Sequence, residues 1–241
     1  MYNVSVCMAA YNGANYIKKQ IETILVQLGA GDELIIVDDC STDDTVKIIK
    51  SFFDVRVKLY INEKNLGFIK SFFKAIKYAK NEYIFLSDQD DVWLDDKVSR
   101  VKEAIELSNA DVLIHNAKVC TCEGRVLQLK RYQRGLGSCF FNRHLTNNHN
   151  MGCLMIFNKR IVKDLYPIPT LVESHDQWIG LVADYMGYNT SFLDENLIKW
   201  IRHDSNASST YRRSWKLVIL SRIKMIVLYF LIRCRNYRRN S

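Results

Sequence analysis

Five short apolar runs, residues 4–8, 33–37, 57–61, 83–86 and 112–115, alternate along the first half of the 241-residue chain with stretches of helical periodicity. In the first such stretch Ile17, Ile21, Ile24, Leu25 and Leu28 share one helical face, and Gly29 and Gly31 are placed to close it. Ser41 or Thr42 can cap a second helix carrying Val46, Ile49 and Phe53, and further helices are expected over 68–79 and 97–107. Strand and helix alternating at this spacing predict βαβ units, and so an α/β fold with a mostly parallel central sheet flanked by helices. Beyond Asn116 the pattern loosens. Residues 118–150 are polar and glycine-containing, 153–157 read as a strand, 173–186 as a helix, and the tail from Tyr211 as a basic, apolar helix.

Charge is distributed unevenly. Of the 34 Lys and Arg, nine follow Ser205 with no acid among them, which leaves the first 204 residues with 25 bases against 26 acids. The net charge of +8 is therefore a property of the tail, and a neutral body without a reading motif argues against a nucleic-acid partner. With 48% hydrophobic residues and two Pro the chain is not of a disordered or collagen-like class. Seven irregularly spaced Cys do not form a disulfide framework, and Cys120 and Cys122 lack the C-x-x-C spacing of zinc sites, so reduced thiols and a cytoplasmic setting are expected. Residues 1–3 carry no basic leader. The longest apolar run, 225–232, is eight residues, against the ~20 a membrane-crossing helix needs.

Ligands of open parallel sheets bind beyond the carboxyl ends of the strands, and two of those ends are acidic here. The second run ends in Asp38 and Asp39, the fourth in Asp88, Asp90 and Asp91, with Asp95 and Asp96 a turn later. A single Asp at such a junction is explained by helix capping; three within four residues are not. Two carboxylates ~4 Å apart repel by about 4 kcal/mol at a surface-like dielectric, which calls for a cation or raised pKa values, and an all-oxygen set suits Mg²⁺ or Mn²⁺. Neither G-x-x-x-x-G-K-[ST] nor G-x-G-x-x-G follows the first strand, which disfavours a P-loop NTPase and a nicotinamide dehydrogenase.

Four segments in order, residues 4–13 (VSVCMAAYNG), 37–45 (VDDCSTDDT), 65–67 (NLG) and 87–93 (SDQDDVW), resemble glycosyltransferase family 2, and within it the bacterial rhamnosyltransferase-like enzymes of surface-polysaccharide assembly. The resemblance covers roughly residues 3–210 and implies a GT-A fold. It places Ala9, Tyr11, Asp38 and Asp39 around the base and ribose of a nucleoside-diphosphate sugar. Asp88 and Asp90 would form the family's DxD motif, with Asp90 on a metal bridging the donor diphosphate and Asp91 beside metal or sugar. Cys40 stands where the family usually has Gly, and Ala10 where Ser or Thr is common. In the second half, 174–178 (SHDQW) resembles the motif whose Asp is the general base, here Asp176; an N-cap role is the alternative. Residues 200–206 (WIRHDSN) resemble a late segment in which His203 reaches the metal or diphosphate and Arg202 the phosphates. Asn150, Met151, Gly152 and Cys153 look like the segment beneath the acceptor, whereas His115, His144 and His149 read as structural.

The implied protein is an inverting, metal-assisted transferase moving a dTDP- or UDP-linked sugar to a hydroxyl of a growing polysaccharide or lipid-linked glycan. Residues 1–117 would hold the donor, 118–210 the acceptor, and 211–241 form a tail. Peripheral contact of that tail with the inner face of the cell membrane, packing on the body, and a tail-mediated dimer are all compatible with its sequence. A sugar-nucleotide pyrophosphorylase or a non-catalytic nucleotide-sugar or phospho-acceptor module are the competing readings. The first lacks its glycine-rich basic loop; the second leaves Asp176 and His203 without a purpose.

Overall fold

The computed structural model describes residues 2–133, 135, 144, 150–203, 206 and 214–240. The elements run β1 Val4–Ala10, α1 Ile17–Leu25, β2 Glu33–Asp38, α2 Thr45–Lys50, β3 Val57–Ile61, α3 Phe68–Tyr78, β4 Tyr83–Ser87, β5 Val92–Trp93 and α4 Lys97–Ser108. They continue with β6 Val112–Thr121, β7 Val126–Gln128, a 3₁₀ turn at Gly152–Leu154, β8 Met155–Asn158, α5 Val162–Leu165, α6 His175–Met186, β9 Thr190–Arg202 and α7 Trp215–Asn240.

The strands form one sheet in the order β3-β2-β1-β4-β8-β6-β9-β5, with β7 paired to β6. From β3 to β4 every pairing is parallel, as the alternating runs imply. Beyond β4 the sheet is mixed: β8 is antiparallel to both β4 and β6, β9 parallel to β6, and β5 antiparallel to β9. Helices cover both faces of the parallel half, so β1 and β2 are buried along nearly their whole length, the pattern of strands covered twice.

Local chemistry explains the elements and their departures from expectation. Helix α1 turns Ile17, Ile21 and Ile24 into the core but ends at Leu25, ahead of the two glycines. Ser41 does not cap α2, because its backbone N–H and hydroxyl both donate to Asp38; the helix starts after Asp44. Strand β6 runs to Thr121, six residues past the apolar stretch that marks it, held there by β9.

The register matters for function. Ala10 lies beside Asp38, and Met8 beside Ser87, so β1, β2 and β4 deliver their carboxyl ends to one edge. The antiparallel pairing of Val92 with Lys199 and Trp93 with Ile198 then carries the end of β9 back to the same edge. Helix α7 packs along one face, with Met225, Leu228 and Ile232 buried and Tyr229 edge-on to Tyr185 of α6 at 5.2 Å. No helix among the described residues is long and apolar enough to cross a membrane.

Candidate active site

Around the first strand end, the side chains expected to line a base pocket are largely engaged in building it. Asp38 is buried and bound to Ser41. Asp39 accepts from Asn62 Nδ2 and the Leu66 N–H at 2.8 Å through Oδ1, and from the Gly67 N–H at 2.8 Å through Oδ2. Its carboxylate thus ties the 62–67 loop to the end of β2, and Gly67, at φ 85°, needs the freedom of a glycine there. Cys40 also lies at positive φ, 66°, which explains the Gly usual at its position. Ala9 is half-buried, and Tyr11 is the exposed aromatic at the mouth.

A side chain that sequence reasoning passed over joins the acidic end of β4 to the turn after β1. Gln89 accepts from the Tyr11 N–H and donates to the Tyr11 carbonyl, both at 3.0 Å, and it lies directly over Gly13, where a Cβ would come within 2.2 Å of Oε1. Gln20, fully buried on α1, donates to Ser87 Oγ at 2.8 Å and to the Asp88 carbonyl at 3.1 Å. Gln89 was visible as the middle of the SDQDD run. Gln20 carried no signal beyond its helical position.

The second strand end concentrates negative charge. Burial, followed by the charges of Asp90 and Asp176, pushes the Asp88 carboxyl up to about 7. Burial, then Asp88 and Asp90, holds Asp91 well above the usual carboxylate range. Asp91 Oδ1 accepts from the Ile201 N–H at 3.2 Å, while its buried Oδ2 has no hydrogen-bond partner. Ligand atoms of Asp88, Asp91 and Cys153 lie within 4.8 Å of one another. Close carboxylates and an orphaned buried oxygen are what a divalent cation would satisfy, so the residues present fit one.

Asp90 turns to the end of β9. His203 Nε2 lies 2.9 Å from its Oδ2, and Asn206 Nδ2 donates to the same oxygen at 3.0 Å. The His203 ring stacks on Tyr16 at 4.2 Å. The structure therefore brings Asp90 and His203 together across 113 residues of sequence, and adds Tyr16 and Asn206. Arg202 packs its guanidinium over Trp200, 4.6 Å from the ring centroid. Beneath the cluster, Lys97 is completely buried, with Nζ 4.0 Å from the Trp93 ring and donating to the Cys153 carbonyl at 3.2 Å. Burial pulls its amine down to about 7, against the pull of Asp91 and Asp88. A lysine opening a helix gives no sign in sequence of such a position.

Asp176 sits in the first turn of α6, partly exposed. Its Oδ2 accepts from the Gly152 N–H at 2.9 Å, and its Oδ1 from the Gln177 N–H at 2.6 Å and the Ser174 hydroxyl. The Gly152 that donates to it adjoins Cys153, whose ligand atom lies within 4.8 Å of those of Asp88 and Asp91, so carboxylates from the two halves of the chain come to one region. Its neighbour His175 points away, stacked on Phe72 at 3.9 Å with both ring nitrogens buried and unpartnered, and burial lowers its pKa.

The remaining histidines are structural where they are described. His115 Nδ1 is 2.7 Å from the Asn116 carbonyl, and His144 Nε2 is 2.8 Å from Asp184 Oδ2. Buried Cys120 and exposed Cys122 share no metal cluster among the described residues. His149, Asp204, Ser205 and residues 207–213, where the tail was expected to begin, lie outside the described residues.

The family model described as glycosyl transferase family 2 matches residues 5–166. The Escherichia coli UDP-Glc:alpha-D-GlcNAc-diphosphoundecaprenol beta-1,3-glucosyltransferase WfgD is 26% identical over 241 residues, covering 96% of this chain and 93% of that protein. The Shigella flexneri dTDP-rhamnosyl transferase RfbG is 33% identical over 126 residues, 49% of this chain and 43% of its own. Among solved structures, S. aureus TarS 1–349 in complex with UDP-GlcNAc superposes with a TM-score of 0.72 at 20% identity, over 98% of this chain and 73% of that one. The Pyrobaculum calidifontis mannosyltransferase PcManGT in complex with GDP-Man and Mn²⁺ gives 0.62 at 18%, over 97% and 64%.

Proposed function

The chain belongs to glycosyl transferase family 2, and from that premise we propose an inverting transfer of a sugar from a UDP- or dTDP-linked donor to a hydroxyl of a growing surface polysaccharide or lipid-linked glycan. The observation that carries the reading is that Asp88 and Asp91 at the end of β4 lie with Cys153 within 4.8 Å of one another, while the adjoining Gly152 N–H holds Asp176 of the second half of the chain. The UDP-Glc donor named for WfgD, matched along nearly its whole length, and the dTDP donor named for RfbG support the donor class.

In this account residues 1–117 hold the donor, 118–210 the acceptor, and 211–241 act as a separate tail. Tyr11 and Ala9 face the base and ribose. Asp38 and Asp39 act by fixing the loops that wall the pocket, because their oxygens already accept from Ser41, Asn62, Leu66 and Gly67. Asp88 and Arg202 meet the sugar and diphosphate, with Asp91 beside them. Asp90 and His203 would hold a divalent cation, Mn²⁺ or Mg²⁺, whose charge would offset that of the departing nucleoside diphosphate.

Asp176 removes the proton from the acceptor hydroxyl as that oxygen bonds to the anomeric carbon and the bond to the diphosphate oxygen breaks. The three donors on its carboxylate hold it in one orientation, and a single displacement from the face opposite the leaving group would invert the anomeric centre. The setting is the cytoplasm, on the inner face of the cell membrane.

Thermal unfolding against UDP, dTDP, GDP and CMP, with and without Mn²⁺, tests the donor site. A ligand at 100 times its dissociation constant stabilises by about 2.7 kcal/mol, or about 5–10 °C for a domain of this size. Metal-dependent stabilisation by UDP or dTDP, lost in Asp90→Ala, is the expected result. No shift with any nucleotide would contradict the reading.

A further inference from the structure

The face of α7 turned away from the body is apolar over three and a half turns. Ile219, Ile223, Ile226, Val227, Phe230 and Leu231 recur at spacings of three and four, and each is 40–52% exposed although the opposite side of the helix is buried on α6. Such a stripe, about 18 Å long, is larger than scattered surface apolar residues account for.

The charges of the helix fall around this stripe instead of on it. Arg222, Lys224 and Arg235 reach back to the body, to the His144 carbonyl, Glu173 and the Pro167 carbonyl. Lys216 and Arg233 bracket the two ends of the stripe. In the sequence alone the basic residues look scattered around the wheel; docking of one face on the body sorts them.

We infer that this face lies in the interfacial layer of an anionic lipid bilayer, with its apolar side chains among the acyl chains and Lys216 and Arg233 at the headgroups. Two occupants fit an apolar stripe, a lipid surface and a second copy of the chain. The charge decides between them. Residues 216–239 contain seven Lys and Arg and no acid; three reach back to the body, while Lys216 and Arg233 stay at the ends of the stripe, so two such faces side by side would set like charges together, whereas anionic headgroups attract them. The helix lies along the surface, because no described helix is apolar enough to cross it. This deepens the part of the functional reading that brings the enzyme to a lipid-linked acceptor, and its test needs no transfer assay.

Co-sedimentation of the full chain with vesicles of phosphatidylcholine alone, and of phosphatidylcholine with an equal amount of phosphatidylglycerol, is the experiment. Binding to the mixed vesicles only, weakened at about 1 M salt, is expected. Ile223→Asp with Phe230→Asp should lower the partition coefficient at least tenfold, and Lys216→Gln with Arg233→Gln by up to about thirtyfold, at about fivefold per charge. The second pair alters only exposed charges, so it remains informative if the first pair perturbs folding. Absence of binding to either vesicle, or equal binding to both, would overturn the proposal. So would a concentration-dependent dimer, abolished by the Asp pair, in a chain that ignores vesicles. Nucleotide-dependent thermal shifts should be unaltered in both pairs, so failure here leaves the donor site standing.

Discussion

Gly152→Ala perturbs the candidate base without touching it. A Cβ at Gly152 would lie 2.6 Å from His175 Nε2 and 3.2 Å from Cε1. The imidazole has nowhere to go, since it is stacked on Phe72 at 3.9 Å and edge-on to Phe68 at 6.0 Å. The backbone of the 3₁₀ turn must move instead, and with it the Gly152 N–H that donates to Asp176 Oδ2 at 2.9 Å. Overpacking costs about 1–3 kcal/mol, and weakening a hydrogen bond to a charged group about 1.5–3 kcal/mol. Because the same shift relieves the first and causes the second, we expect about 2–4 kcal/mol in total, a fall in Tm of about 5–15 °C. If Asp176 is the base, an error of about 1 Å in its position lowers kcat by roughly 10²-fold, while nucleotide affinity is kept. Differential scanning calorimetry and a donor-saturated transfer assay read the two effects. Adding His175→Ala to Gly152→Ala should recover at least about 1 kcal/mol relative to the sum of the single changes. An unaltered Tm would refute the packing argument. A lowered Tm with an unaltered kcat would refute the assignment of the base.

Three other outcomes follow from the same contacts. Asp88, with its folded-state pKa raised to about 7, binds its proton more tightly folded than unfolded. Its stabilising contribution is therefore complete below about pH 4 and lost as pH rises through about 7. Lys97, and the buried His115 and His175, act with the opposite sign, so the effect is read as wild type minus Asp88→Asn. That difference should fall by about 2 kcal/mol between pH 4 and 7 in chelator, half the full shift because Asp88 is partly exposed, and Mn²⁺ should flatten it. Asp91→Asn removes a buried charge with an unpartnered oxygen and should raise chelator-treated stability at pH 8 by about 1–3 kcal/mol while reducing stabilisation by Mn²⁺, both seen by thermal unfolding. Cys40→Gly relieves a φ of 66° and should stabilise by about 0.5–1 kcal/mol in urea unfolding.

How much of this was legible depended on whether the signal was local. Periodicity located β1 to β4 and α1, α3 and α4 closely, because alternating β-branched runs and i, i+4 apolar spacing are properties of a few neighbouring residues. Strand β9 was not legible: TSFLDENLIKWIR has no clean alternation, and it becomes a strand only because β6 offers it a partner. The acidic strand ends stand out by count, and Asp176 is a candidate only by its resemblance to a motif. What could not be found were long-range partners. Asp39 reads as a free carboxylate until the 62–67 loop folds onto it, and Lys97 reads as an exposed helix opener until Trp93 and Cys153 enclose it. Gln89 and Asn206 lay inside motifs already singled out, so the acceptors around Tyr11 and Asp90 would have justified naming them.

Separating donor binding from transfer in two single variants tests the central claim most directly. Asp90→Ala and Asp176→Asn should be titrated with the stabilising nucleotide and Mn²⁺ by calorimetry, and assayed with the corresponding nucleotide sugar and a lipid-linked acceptor. The account predicts that Asp90→Ala loses metal-dependent donor binding, whereas Asp176→Asn binds donor as the wild type does and transfers at least roughly 10²-fold more slowly. Wild-type transfer by Asp176→Asn, or unaltered metal-dependent binding by Asp90→Ala, would contradict it.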